Sequence, residues 1–358
     1  MKDRLRLRTA RTSLVCGLLT FAASQFTLEL AIENWWPGLR DEFCHQKLTQ
    51  LKRRFDAAPP QAVKVVMLGT SATYCDLQSE RLERALRETS GREVAVYNFG
   101  IPGSSALMEL IALKRLLAEG IRPDVVLIEV LSPFLSGCPP LDPTRFSAPR
   151  FALSELPLIR RYTGHYSRVR WWDGRLAPCH AHRWAILRRL APNFAVDDPW
   201  TQGVGPFDAA GAGHLEDEIR TDAGYRQGVQ RTEDSYGVYR NKFRRDAPFC
   251  QILRELLSIC RQEQIRAALV VMPESSELRG WYDWRVDGEM LAFLRELGGE
   301  YGADVIDAKD WIDDRGFLDG IHLVQSGAER FTGGLAGEVV LSKRPDAELA
   351  GRDGKKLR

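Results

Sequence analysis

The chain has 358 residues, enough for one large domain or two modest ones with an ample core. A hydrophobic share of 44% and a charged share of 27% are those of an ordinary folded protein and exclude a disordered one. The net charge of +2 gives no basis for nucleic-acid binding.

At the N-terminus, Lys2, Arg4, Arg6, Arg8 and Arg11 precede an apolar run from Leu14 to Leu28, broken by Thr20, the Ser24-Gln25 pair and Thr27. Glu29, Glu33 and then Trp35-Trp36-Pro37 follow. A basic flank, an apolar stretch and an aromatic pair at the far end fit insertion with the N-terminus in the cytoplasm. The run is short of the ~20 residues of a full span, and Ala22-Ala23-Ser24 makes a poor cleavage site. Residues 1–33 are therefore expected to be a membrane anchor, with a cleaved signal or a soluble amphipathic helix as alternatives. Either of the first two carries the rest of the chain out of the cytoplasm. Residues 34–61 read as a stalk ending at Ala57-Ala58-Pro59-Pro60.

Strands and helices then alternate. Ala62–Leu68, Glu93–Asn98 and Pro123–Val130 are short, β-branched runs of the kind buried on both faces of a sheet. A helix with Leu77, Leu82 and Leu86 lies between the first two, and an apolar helix over Ser104–Glu119 between the second and third. Regularity fails over about 133–246 and resumes with a helix at Pro248–Gln264 and a strand at Ala267–Met272. A helix at Val286–Leu297, a strand at Ala303–Asp307 and a last helix at Ser326–Leu341 complete the pattern. Such alternation predicts an α/β fold, a doubly wound (flavodoxin-like) three-layer parallel sheet over 62–342 with a large insertion after the third strand. Residues 343–358 form a charged tail.

Within the insertion, ten arginines but only Glu155 and Asp173 as acids lie between Arg145 and Arg189, interleaved with Trp171, Trp172 and Trp184. Two readings stand: a face for sugars or anionic polymers, or arginine stems packing a cap. The spacing of Cys179, His180 and His182 is too weak for a metal site, so no metal or other cofactor is expected. Asp208–Asp234 is Gly- and acid-rich and reads as a mobile loop. The seven cysteines match no disulfide framework. Cys250 and Cys260, on one expected helix and about 15 Å apart along its axis, cannot bridge each other.

Three segments carry the chemistry. Leu68-Gly69-Thr70-Ser71 closes the first strand, Asn98-Phe99-Gly100 closes the second, and Asp319-Gly320-Ile321-His322 precedes the last helix. All fall at the carboxyl edge of the sheet, where open α/β folds place their ligands. A serine hydroxyl must lose its proton as it attacks, so Ser71 needs a base; His322 supplies an imidazole and Asp319 a carboxylate to hold its tautomer. A glycine at the strand end lets backbone approach a ligand, so Gly100 is the candidate second oxyanion donor beside Ser71. Glu274, Arg279 and Trp281, after the fourth strand, are candidates to line the pocket. Activity is expected to rise as His322 turns neutral, near the ~6.5 of a free histidine.

On these blocks the chain resembles the SGNH, or GDSL-like, hydrolases over about 62–132 and 246–342. The resemblance implies a serine esterase or O-acyltransferase with Ser71 as nucleophile, His322 as base and Asp319 as its orienter. The backbone amides of Ser71 and Gly100 become oxyanion donors. It further implies an O-acylated substrate, with divergent membrane-anchored relatives pointing to envelope carbohydrate. Two blocks depart: Gly-Thr-Ser replaces Gly-Asp-Ser, and the Gly-x-Asn-Asp block is absent where Leu127-Ile-Glu129-Val-Leu-Ser132-Pro133 stands. Losing an oxyanion donor costs ~10²–10³ in rate. A catalytically silent glycan-binding or scaffold protein on the same fold is therefore the alternative.

Overall fold

Five β-branched runs build the sheet: Val63–Gly69 (β1), Val94–Gly100 (β2), Val125–Val130 (β3), Arg266–Val271 (β4) and Asp304–Asp307 (β5). In this computed structural model they pair in parallel in the order β2-β1-β3-β4-β5. That is the doubly wound, flavodoxin-like order, whose ligand crevice opens where the winding reverses, at the carboxyl ends of β1 and β3. Every residue of β2 and β3 is buried and β1 leaves only Lys64 partly exposed, as expected of strands covered on both faces. The edge strand β5 is mostly half-exposed. Helices Ser79–Ser90, Ala106–Ala118, Pro248–Gln262, Trp284–Tyr301 and Gln325–Glu338 supply the flanking layers. Ala106–Ala118 is apolar almost all round, and nine of its thirteen residues are buried, as a helix without a wet face requires.

The structure describes residues 2–142, 146–164, 172, 174–194, 207–213, 220–339 and 341. They group as two units, Lys47–Asp142 with Gly203–Arg358, which holds the sheet, and Met1–Gln46 with Pro143–Gln202. The expected stalk is therefore divided. Glu42–Ala57 is a helix whose Leu51 and Phe55 are buried, and its Lys47 is fully enclosed in the sheet-bearing unit. Lys47 Nζ donates to the carbonyls of Asn98 (2.8 Å) and Gly211 (2.6 Å), with the Tyr74 and Phe207 rings about it. A buried ammonium needs such partners, since an unpaired one would shed its proton. The expected mobile loop before Asp234 is also corrected: Asp222–Tyr236 is a helix capped by Thr221, which accepts from the Gly224 amide.

The other unit is built on helix α1, Lys2–Asn34, of which Arg8–Asn34 is long and apolar enough to cross a membrane. Leu28 and Ile32 of α1 pack with Leu39, Ala185 and Ile186. Arg150 pairs with Asp41, Arg175 with Glu29 and Glu33, and Arg188 with Glu42. For these three arginines the packing reading of the insertion holds. His182 is buried and hydrogen-bonded to the Leu39 backbone, and burial pushes its pKa down to about 4. The seven cysteines are free thiols. Arg145, Arg168, Arg170, Trp171, Asp173 and the tail after Lys343 lie outside the described residues.

Candidate active site

The chain leaves β1 through Thr70 and turns at once into the short helix Ser71–Asp76. Ser71 is thereby held at the carboxyl edge, at the first helical position. Thr70 caps the turn, its hydroxyl accepting from the Ala72 amide at 3.2 Å. Beneath it, at the end of β3, lies Glu129, fully buried. Its carboxylate accepts from the amide and hydroxyl of Thr70 (3.0 and 2.6 Å) and from the amide and hydroxyl of Thr73 (2.8 and 2.5 Å). Four donors on one carboxylate satisfy its oxygens and fix both sides of the serine. Gly69 makes room for this anchor, since a Cβ there would stand 2.4 Å from Glu129 Oε2.

The acid–base pair arrives on the segment Phe317–Leu323, pinched by an isolated bridge between its ends. Asp319 Oδ1 accepts the amides of Ile321 (2.8 Å) and His322 (2.7 Å), which shapes the turn. Its Oδ2 then meets His322 Nδ1 at 2.9 Å, and His322 Nε2 meets Ser71 Oγ at 2.9 Å. Two further groups steady the loop. Buried Asp76, at the far end of the serine helix, accepts the Leu323 amide at 2.9 Å, and Gly228 of helix Asp222–Tyr236 packs on Asp319, where a Cβ would lie 2.6 Å from the Asp319 Cβ.

Burial works against a charged His322, but the Asp319 carboxylate in contact with it prevails, with Asp76 and Glu129 adding to it, and the pKa is pushed up to about 9. Burial likewise opposes an ionised Asp319, and His322 together with the two loop amides overrides it, down to about 2. Burial raises Asp76 well above the ordinary carboxyl range. The expectation of a base titrating near ~6.5 is therefore corrected upward.

Of the two expected oxyanion donors, one differs from expectation. The Ser71 amide makes no hydrogen bond among the described residues, while those of Thr70, Ala72, Thr73 and Tyr74 are all engaged. Gly100 does not supply the second donor, because its amide is taken by Asn98 Oδ1 at 2.8 Å. Its lack of a side chain serves packing instead: a Cβ there would lie 2.4 Å from the Tyr74 nitrogen. Asn98 Nδ2 in turn donates to the carbonyls of Thr73 (2.6 Å) and Leu77 (3.0 Å), tying β2 to the serine helix. The next turn, Ile101–Ser104, has Pro102 and then Gly103 at φ +73°, the pairing a type II turn requires. It is fastened to Gly69, whose carbonyl accepts from the Ile101 amide (2.9 Å) and the Ser104 hydroxyl (3.1 Å). The Gly103 amide makes no hydrogen bond among the described residues.

Two of the three pocket candidates are used differently from expectation. Glu274 is fully buried beside Ser132 and Lys309, and burial raises its pKa. Arg279 donates to the carbonyls of Glu274 and Lys309, and Trp281 carries the Arg240 guanidinium 4.7 Å above its ring. Packing absorbs Glu274 and Arg279, so neither is left to line a pocket. Sequence reasoning missed Asn98 as a brace and Asp76 as a support for the histidine loop. Glu129 was noted only as the occupant of a missing asparagine's place. Among the described residues no cluster of His, Cys, Asp and Glu could hold a metal.

No family model and no curated protein matches the chain. Solved structures similar to it include a protein assigned to the lipolytic G-D-S-L family from Desulfitobacterium hafniense, 13% identical over 78% of this chain and 99% of that one, with a TM-score of 0.35. An acetylxylan esterase from Geobacillus stearothermophilus is 11% identical over 80% and 98%, with a TM-score of 0.36. A gut microbial diltiazem-metabolizing enzyme is 11% identical over 71% of this chain but only 38% of its own length, with a TM-score of 0.31.

Proposed function

We propose that this chain is an SGNH-type serine ester hydrolase, or an acyltransferase built on the same acyl-enzyme. The observation that carries the reading is the unbroken Ser71–His322–Asp319 chain, with both contacts at 2.9 Å. Ser71 Oγ attacks the ester carbonyl carbon while neutral His322 takes the serine proton at Nε2. Asp319 holds Nδ1–H and stabilises the imidazolium that forms. The amides of Ser71 and Gly103 receive the developing oxyanion. Collapse expels the alcohol, protonated by His322, and leaves an acyl-serine. Water then resolves it in hydrolysis, or a substrate hydroxyl in transfer. The Glu129 anchor supports a fixed nucleophile position, which attack on the face of the carbonyl needs.

With α1 as an anchor and its basic flank in the cytoplasm, the site acts outside the cytoplasm, and an O-acylated envelope carbohydrate is the substrate class. The test is labelling by a fluorophosphonate together with cleavage of a simple aryl acetate. Both should be present in the wild type and lost in Ser71→Ala. A second reading, a silent glycan-binding scaffold, is favoured by one observation: the end of β3 offers no third donor, because Glu129 is wholly engaged and Ser132 faces Glu274. Folded protein that ignores the probe, cleaves and transfers no acyl group, yet binds an envelope glycan would establish it.

A further inference from the structure

Large exposed apolar side chains are distributed unevenly. Among the described residues, all of them except Val238 and Trp284 belong to the unit built on α1. On α1 itself, Leu14, Leu18, Leu19 and Phe26 are more than half exposed, as a lipid-facing helix requires. The same unit also leaves Trp172, Leu176, Leu190 and Phe194 bare, at 57%, 68%, 81% and 78% exposure, although these lie far from α1 in sequence.

The place where that second segment grips α1 is informative. Gln25 stands inside the apolar run, yet it is buried, and its Oε1 accepts the Cys179 amide at 3.2 Å. At ~1.5 Å per residue Gln25 is about 25 Å along the helix from Arg8, against ~30 Å of hydrocarbon. Whatever covers Gln25 therefore sits within the far edge of the bilayer, not above it. Glu29, one turn on, is met by Arg175, whose guanidinium also holds the Phe151 carbonyl at 2.8 Å. Helix Arg183–Leu190 packs Ile186 against the cluster of Ile32, Leu39 and Ala185, and Leu190 follows one turn on. Exposed Arg160, Arg183 and Arg189 give the segment a cationic rim, and its acids among the described residues reduce to Glu155.

We propose that the described parts of this segment, 146–164, Trp172 and 174–194, form a membrane-seated collar. It packs against the end of α1 at the outer interface, with Trp172, Leu176, Leu190 and Phe194 in the upper acyl chains and the arginines among anionic phosphates. Apolar side chains flanked by arginine are what an interfacial element needs, and the occupant is a phospholipid bilayer containing anionic lipid. The proposal rests on α1 crossing the membrane, and its test separates the two.

The full-length chain is placed in nanodiscs of phosphatidylcholine and phosphatidylglycerol, with one benzoylphenylalanine at a time at Leu18, Leu176, Leu190, Phe194 or Val238, and is irradiated. Lipid adducts read by mass spectrometry should form at Leu176, Leu190 and Phe194 within about threefold of Leu18, and at least tenfold less at Val238. Adducts at Leu18, with the three collar positions no better than Val238, would overturn the collar and leave the anchor standing. Adducts from the collar to protein instead of lipid would overturn it in favour of a protein partner. A failure at Leu18 as well would remove the anchor and the collar together.

Discussion

Two strand ends at the same edge of the sheet handle a buried glutamate in opposite ways. At the end of β3, Glu129 receives four donors from the turn that carries Ser71. Just past β4, Glu274 is equally buried, but its carboxyl makes no well-formed hydrogen bond among the described residues, with Ser132 and Lys309 nearby, and burial raises its pKa. For Glu274, burial with poor donation favours the neutral acid. One carboxyl braces the turn that carries Ser71, and the other is held inside packing.

The largest effects should come from the groups that Glu129 and the histidine loop hold in place. Ser71→Ala and His322→Ala should each abolish ester cleavage, with losses on the order of 10⁶ in kcat that do not add in the double variant. A double variant markedly worse than either single would show that the two do not act as a unit. Asp319→Asn should cost about 10⁴ in kcat.

That substitution also moves the pH dependence. In the wild type, activity should rise with pH through about 9, because only neutral His322 accepts the serine proton. Without the Asp319 charge burial is opposed only by Asp76 and Glu129, and the midpoint should fall from about 9 towards lower pH. A pH–rate profile of kcat/KM on an aryl acetate reads both. Stability follows the same sign. A folded-state pKa above the unfolded value means that the ion pair contributes fully below pH 6.5 and is lost as pH rises towards 9. A wild type that gains stability over that window relative to His322→Gln would contradict the pairing.

Smaller effects test the two glutamates against each other. Glu129→Ala strands the Thr70 and Thr73 amides in a buried site and should cost on the order of 3 kcal/mol in urea unfolding. Glu129→Gln turns one acceptor into a donor, facing either the Thr70 hydroxyl at Oε1 or the two amides at Oε2, and should still lower kcat about tenfold or more. Glu274→Gln should change stability by less than about 1 kcal/mol, since burial already favours its uncharged form. If Glu274→Gln proves as damaging as Glu129→Gln, the contrast fails.

What the sequence displayed, and what it hid, follows from how local each feature is. The strands are contiguous apolar runs, so β1, β2, β3 and β4 were readable to within about two residues. The Ser71, Asp319 and His322 blocks stood out because each combines a reactive residue type with a strand end or a turn. Gly100 stood out by its place at a strand end, and the bond that its amide donates to Asn98 Oδ1 leaves no mark in the sequence. Helix Asp222–Tyr236 escaped notice because its buried face is Tyr225, Gly228 and Thr232, which gives no aliphatic stripe. The grip of Cys179 on Gln25 joins residues 154 positions apart, and no local pattern announces it.

The Glu129 anchor has a consequence for how such sites vary between proteins. Thr70, Thr73 and the glutamate 59 residues beyond Thr70 are one hydrogen-bonded object. Changing either threonine alone leaves a carboxylate short of donors, and changing the glutamate alone leaves amides short of an acceptor. The three positions are thus expected to drift together or not at all. A Thr-Ser-x-Thr turn paired with a glutamate inside the third strand is therefore a fingerprint that a search for Gly-Asp-Ser with Gly-x-Asn-Asp would pass over.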